Sequence, residues 1–227
     1  MIKNRYHTAT IIAILFHAAG LAGILFFDRN IFLAATPYHM MIMAALLFYT
    51  QEKINTSFVI FFAFCFSAGI AAEVLGTSTG MLFGEYSYGS FLGPVFKHVP
   101  IVIGLNWFII IYCCGVFINT MLEKLTKKLA EMTGNPLTRI RFLSLVSDGA
   151  MLSVFFDWIM EPAANKLGYW TWAGNGRVPF YNYACWLVIS ALLLVVFGLL
   201  KFSKRNIFAV NLLLTMIMFF MLIRVFS

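Results

Sequence analysis

The chain has 227 residues, of which 62% are apolar and 11% are charged, and its formal net charge is +7. An ordinary soluble domain is about 45–50% apolar and about 25% charged, so this composition leaves too little polar surface for a soluble fold. The mean hydropathy of +0.89 agrees. These values exclude a soluble enzyme, a nucleic-acid-binding module and a disordered tail.

Seven stretches are long and apolar enough to cross a bilayer as helices, which takes about 20 residues each. In chain order we place them at 8–27, 31–49, 57–75, 98–122, 142–161, 183–200 and 207–226. The sequence therefore predicts an all-α, polytopic integral membrane protein with about seven transmembrane helices. We expect one membrane domain over 1–227, with a motif-bearing core at about 57–200.

Basic residues are unevenly divided between the two sides of this predicted bundle. Eleven of the sixteen lysines and arginines lie at the N-terminus and in the loops after the second, fourth and sixth spans. Because cytoplasmic loops carry the Lys and Arg excess, we expect a cytoplasmic N-terminus and an outer C-terminus. The expected location is the inner (cytoplasmic) membrane.

The cysteines and histidines give no metal signature. All four cysteines lie in predicted spans without C-x-x-C spacing, which is typical of small packing residues. The histidines form no i, i+3 or i, i+4 pair on any predicted helix, and no phosphate-binding glycine loop is present. The sequence predicts neither a metal nor a cofactor.

Three carboxyl groups are predicted to meet at the outer end of the bundle. Asp157 and Glu161 are four residues apart, hence on one face of the fifth helix, and Glu73 lies at the end of the parallel third helix. Carboxylates inside a membrane are costly and usually functional. Asp148 faces another direction on the fifth helix, where we expect an interhelical hydrogen bond.

The segments after these acids form a weak internal repeat. Each contains an acid, a glycine, an aromatic-x-aromatic pair, Val-Pro and then a tryptophan seven residues after the proline. The first copy contains Glu73, Tyr86, Tyr88, Val99, Pro100 and Trp107, and the second contains Glu161, Trp170, Trp172, Val178, Pro179 and Trp186. A parallel repeat about an axis along the membrane normal would place two walls of acids and aromatic rings around one pocket.

Further residues complete the candidate substrate-binding set. Asn106 and Trp107 are predicted deep in the fourth helix, Trp158 lies between the two acids of the fifth, and Asn182 stands at the mouth of the sixth. The glycines at 76, 80 and 84 recur every four residues, which indicates either close backbone packing or a ligand-lining surface.

This set of residues favours acid-initiated chemistry on an alkene. A protonated carboxylic acid can deliver a proton to a carbon–carbon double bond, and aromatic faces stabilise the resulting cation. A second, ionised carboxylate can then orient a water or remove a proton. Hydration and cyclisation of an isoprenoid are therefore both possible without a cofactor.

Several strings resemble the carotenoid biosynthesis membrane-protein family, of the carotenoid 1',2'-hydratase and bisanhydrobacterioruberin hydratase type. They are EVLGTSTGMLFGEYSYG at 73–89, VPIVIGLNW at 99–107, DWIMEP at 157–162, GYWTW at 168–172 and PFYNYACW at 179–186. The resemblance implies water addition to the terminal isopropylidene double bond of an acyclic carotenoid end, as in lycopene, γ-carotene or a C50 relative. It also implies a lipid-bilayer setting, with other carotenoid enzymes as candidate partners.

The reading of the residues adds roles and leaves alternatives. Asp157 is the candidate proton donor because it is the deeper member of the helix pair, while Glu161 or Glu73 would position the water; these roles could be exchanged. A lycopene-type cyclase starts with the same protonation and is the alternative enzyme. A small membrane transporter is the non-enzymatic alternative, since buried acids also couple protons.

Overall fold

The computed structural model describes residues 2–133, 138–174 and 176–226. These residues form a bundle of α-helices with short strands at one end. The helices are α1 (Ile2–Phe26), α2 (Arg29–Ala34), α3 (Thr36–Thr50), α4 (Thr56–Thr79), α5 (Val102–Thr133), α6 (Thr138–Leu167), α7 (Phe180–Leu199) and α8 (Ile207–Phe226). The strands are β1 (Tyr86–Tyr88), β2 (Val95–Phe96), β3 (Val99–Pro100) and β4 (Trp170–Trp172), with a 3-10 turn at Ser90–Leu92.

Six of the described helices, α1 and α4 to α8, are long and apolar enough to cross a membrane. This confirms the prediction of an all-α, multi-pass membrane protein. The sequence predicts about seven spans, and the difference lies in the second one.

The predicted span 31–49 is divided into two shorter helices. The Asp28 carboxylate accepts two backbone N–H groups at the start of α2, and α3 begins after Ala35 with Pro37 in its first turn, a position that suits proline. The 15 residues of α3 are about 22 Å long, short of the roughly 30 Å core of a bilayer.

The α2–α3 pair nevertheless runs from one end of the bundle to the other. Arg29 donates to the backbone carbonyl of Lys166 at the end of α6. Gln51, just after α3, donates to the carbonyl of Ser203 between α7 and α8 at 2.9 Å. The pair thus makes a seventh pass with a break near one end.

Helix α6 extends beyond its predicted limit. The sequence predicts an end at 161, before Pro162, but the helix continues through this proline to Leu167. Ala163, Ala164 and Leu167 are buried, so the extra turn adds apolar packing, and neighbouring helices make a proline tolerable in a membrane helix. Glu161 therefore lies inside α6, not at its end.

Helix α5 is the centre of the bundle. The apolar stretch of this helix is 72% buried, against 28–39% for the other five long helices. It contacts α3, α4, α6, α7 and α8. Residues placed early in α5 are therefore surrounded by protein.

One end of the bundle carries all four strands, and we call it the strand end. The C-terminal ends of α4 and α6 meet the N-terminal ends of α5 and α7 there. Gly80 ends α4 in the left-handed conformation (φ 65°), with its N–H bonded to the Gly76 carbonyl, as is common at helix C-termini. The chain can then turn back across the strand end.

Candidate active site

Glu73, on the last turns of α4, is buried and held by three donors. The hydroxyl groups of Tyr86 and Tyr88 both donate to its Oε2, the latter at 2.7 Å. The indole Nε1 of Trp107 donates to its Oε1 at 3.0 Å. Two elements, β1 and α5, thus converge on one carboxyl group of α4.

Glu161, on α6, is held in a parallel way by the second copy of the repeat. The indole nitrogens of Trp170 and Trp172, both on β4, donate to its Oε2 at 2.8 Å each. The aromatic-x-aromatic pairs therefore act mainly as hydrogen-bond donors to the acids, a role that the sequence analysis does not predict.

Asp157 lies one turn before Glu161 and is fully buried. Asn182 at the start of α7 donates to its Oδ2 at 2.7 Å. Its Oδ1 has no hydrogen-bond partner among the described residues. Asp157 and Glu161 are four residues apart in α6 and therefore lie on one face of the helix, so we treat them as a pair.

The two halves of the site are joined by a short antiparallel ladder. Strand β1 pairs with β4 so that Tyr86 faces Trp172 and Tyr88 faces Trp170. Two residues that the repeat makes equivalent, Trp107 and Trp186, stack with ring centroids 4.1 Å apart. The repeat thus corresponds to two contacting half-sites.

The tyrosines of β1 remain hydrogen-bond donors. Burial and the neighbouring Glu73 carboxyl raise the pKa of Tyr86 and that of Tyr88 above the usual value for tyrosine. Both hydroxyl groups are therefore protonated at physiological pH and can donate to Glu73.

A small polar cavity lies between the half-sites. Its volume is about 20 Å³, and its lining includes Glu73, Glu161, Asn106 and Asn182. A cavity needs roughly 10–15 Å³ of such space to hold one water molecule. The cavity can therefore take a single water between the two glutamates.

A second, mostly apolar cleft of about 340 Å³ adjoins this cavity. The residues that line both spaces are Ile103, Asn106, Met160 and Trp170. Phe16 and Tyr38 line the cleft and are 45% and 66% exposed, so the cleft opens to the outside of the bundle. An apolar chain could enter there and reach the polar cavity with its end.

Of the sequence-predicted residues, Trp158 lies outside this site. It is 48% exposed, stacks on Phe155 and has the Arg224 guanidinium 4.8 Å from its ring centroid. Asp148 also lies apart: it is exposed and accepts from the neighbouring Ser147, and within the described ranges it makes no interhelical hydrogen bond. The other sequence-predicted site residues come together at the strand end.

Several residues of the candidate site are not predicted from the sequence. Phe83 lines the polar cavity with a positive φ of 65°, and Met160 and Ile103 separate the cavity from the cleft. A flanking glycine is the only local sign of the Phe83 turn. Within the described ranges, no group of three or more His, Cys, Asp or Glu side chains is arranged to hold a metal ion.

Sequence comparisons identify a named relative and a family that match this chain. The bisanhydrobacterioruberin hydratase of Haloarcula japonica is 26% identical over 135 residues, which cover 58% of this chain and 41% of the relative. The chain thus spans less than half the length of that relative. No solved structure matches the chain significantly. The profile of a family described as carotenoid biosynthesis proteins matches residues 34–227, most of the described bundle, and the chain belongs to that family.

Proposed function

We propose that the protein is a cofactor-independent hydratase that adds water to the terminal isopropylidene double bond of an acyclic carotenoid end. Lycopene, γ-carotene or a C50 relative would be the substrate. A proton adds to the less substituted alkene carbon and leaves a tertiary carbocation. The oxygen of a water molecule bonds to the cation, and its surplus proton passes to a carboxylate, leaving a tertiary alcohol.

The observation that carries this proposal is the one-water cavity between Glu73 and Glu161, which adjoins an apolar cleft. A hydratase must bring one water to the end of an otherwise apolar chain. A cyclase needs to exclude water from the cation. Space for one water lined by carboxyl and amide groups supports hydration over cyclisation.

The Asp157–Glu161 pair is the proposed acid. Two buried carboxyl groups one helical turn apart repel each other when both are ionised, which favours a state in which one of them keeps its proton. That proton would also relieve the buried, unpartnered Oδ1 of Asp157. Asp157 holds the proton in this scheme, and Glu161, which lines the cavity, is the route by which it reaches the substrate.

Glu73 is the proposed acceptor on the opposite side. The two Glu73 carboxyl oxygens make three hydrogen bonds and are the acceptors in all of them. This pattern suits a carboxylate without a proton of its own. Its charge would stabilise the cation and orient the water. Trp170 and Trp186 line the cavity, and a cation over the face of either ring would gain cation–π stabilisation of about 2 kcal/mol when desolvated.

The proposed membrane topology rests on the distribution of basic residues. We propose one membrane domain over 1–227 in the inner membrane, with a cytoplasmic N-terminus and an outer C-terminus, as the distribution of basic residues favours. The strand end would then face outward. Other carotenoid enzymes are proposed partners for passing on an apolar substrate.

Expression in a lycopene-accumulating bacterial host tests the proposal. Pigments are separated by chromatography and their masses measured, with Asp157→Asn and the exposed Asp148→Asn as a matched pair on one helix. A mass gain of one or two waters, lost in Asp157→Asn and kept in Asp148→Asn, is the expected result. A pigment isomer of unchanged mass would show a cyclase instead.

A further inference from the structure

The apolar cleft contains a histidine pair that the proposed chemistry does not use. His17 on α1 and His39 on α3 both line the cleft, and their rings meet edge to face with centroids 4.4 Å apart. The two are 22 residues apart in the sequence, so helical spacing gives no sign of the pair. Nearly all other lining side chains are apolar, which makes a polar pair at this place informative.

The hydrogen bonds within the described part of the chain leave at least one ring nitrogen of each histidine for a ligand. His17 Nδ1 lies 2.7 Å from the carbonyl oxygen of Ala13, so Nδ1 carries the proton and the Nε2 of the neutral ring is an acceptor. His39 Nε2 is buried without a hydrogen-bond partner in the described part of the chain. A buried polar atom of this kind costs free energy unless a ligand or water satisfies it.

The other polar side chains of the cleft differ from this pair: Trp170 donates to Glu161, and Tyr38 is 66% exposed. Thr36 and Tyr169 hydrogen-bond to each other at 2.6 Å. Asn106 lies at the junction with the polar cavity. Along α6 the cleft extends from Ala164 to Phe156, eight residues or about 12 Å. Among the described residues, no carboxyl side chain lines the cleft and neither histidine lines the polar cavity, so a chain inserted in the cleft meets the histidine pair and the carboxyl groups in different spaces.

We propose that His17 and His39 bind the hydroxyl group of a polyene alcohol, the tertiary alcohol that hydration leaves on the carotenoid. A hydroxyl donates to one ring nitrogen and accepts from the other, which a hydrocarbon cannot do and a carbonyl does only in part. The polar cavity has room for one water, so a newly formed hydroxyl must leave it before the next water enters. The histidine pair gives the product a polar site inside the cleft.

This inference deepens the proposed function and rests on it, because it takes the ligand of the cleft to be a carotenoid. Binding is measured on the full chain in nanodiscs, by quenching of tryptophan fluorescence, with lycopene and with lycopene hydrated at one end. The Asp157→Asn background stops turnover, and re-extraction checks that the pigment is unchanged. The alcohol is expected to bind about fivefold more tightly, as one net hydrogen bond gives.

Substitutions at the pair assign the preference. His17→Phe and His39→Phe keep a ring of similar size and are expected to bind both pigments alike, with lycopene binding unchanged. His39→Gln, whose amide reaches toward the position of Nε2, is expected to restore part of the preference. His7→Phe, at an exposed position on α1, is the matched control and is expected to keep all of it.

Several results would overturn the inference. They are equal binding of the two pigments by the unsubstituted histidine pair, binding of neither, or a preference that survives in both Phe variants. If the Phe variants do not fold, the relative affinity of the chain with both histidines for the two pigments still tests the inference. If the Phe variants lose the preference for the alcohol but no assay detects hydration, the result would support hydroxyl binding by His17 and His39 and remove the proposed hydratase activity. Failure of the inference and failure of the proposed function are therefore distinguishable.

Discussion

The indole rings of Trp107 and Trp186 stack nearly parallel, with an interplanar angle of 15°. Trp107 also donates to Glu73, so the stack connects the second half-site to a carboxyl group of the first. The two tryptophans occupy equivalent positions in the internal repeat. The repeat thus corresponds to residues that are in contact, both in this stack and in the ladder of β1 and β4.

The two half-sites differ in their number of carboxyl groups. The residue four before Glu161 is Asp157, whereas the residue four before Glu73 is Gly69. A Cβ atom at Gly69 would lie 2.5 Å from the indole of Trp107. The first half-site thus needs a glycine to seat its tryptophan, and the second has an extra carboxyl group instead.

Gly69→Ala is expected to displace Trp107, because the added methyl group overlaps the ring. Overpacking of this kind costs about 1–3 kcal/mol and would break the hydrogen bond to Glu73, lowering both thermal stability and hydration. Thermal unfolding in detergent measures the stability. Gly20→Ala is the control, since its Cβ meets no atom nearer than 3.9 Å; equal stability of the two variants would contradict the prediction.

Glu73→Gln is expected to lower hydration by about 100-fold or more, within the range for a group that handles a proton. The amide keeps the size of the side chain but lacks its charge and cannot take a proton from water. Initial rates of product formation in nanodiscs measure the effect. Glu85→Gln changes an exposed glutamate in the turn that follows α4 and should leave the rate unchanged, whereas a similar loss in both would remove Glu73 from the mechanism.

Trp170→Phe and Trp172→Phe test the donors to Glu161. Each removes one indole N–H while keeping an aromatic ring, and a hydrogen bond to a charged group is worth about 1.5–3 kcal/mol. We expect each to reduce the rate by roughly tenfold or more, and more in the double variant. The rate of alcohol formation is the measurement.

Trp158→Phe is the comparison for that pair, and it also tests a sequence prediction. Trp158 belongs to the predicted substrate-binding set but faces Arg224 at the edge of the bundle. An unchanged rate in Trp158→Phe is expected. A loss as large as that of Trp170→Phe would restore Trp158 to the substrate site.

The sequence predicts the composition of the candidate site better than its contacts. Charged residues inside apolar spans are rare enough to mark Glu73, Asp157 and Glu161 as a group, and helical spacing pairs the last two. The repeat identifies equivalent aromatic residues. Neither pattern shows that these residues donate to the acids, because the ladder of β1 and β4 is three residues long and joins segments 84 positions apart.

Backbone conformation explains the remaining differences. The glycines at 76, 80 and 84 look like a helix-packing pattern, but α4 ends at Thr79 and Gly80 and Gly84 have positive φ. Gly76 thus lies inside α4, whereas Gly80 and Gly84 belong to the turn that follows it. The His17–His39 pair depends on how α1 lies against α3, which no local pattern gives.

Purified protein supplied with lycopene in isotopically labelled water tests the proposed hydration most directly. Protonation by a solvent-exchanged carboxyl group followed by water capture predicts, for each hydrated end, one carbon-bound deuterium from heavy water and one labelled oxygen from oxygen-18 water. Mass spectrometry of the extracted pigment reads both. A product with deuterium but without labelled oxygen, or with labelled oxygen but no carbon-bound deuterium, would contradict acid-initiated hydration.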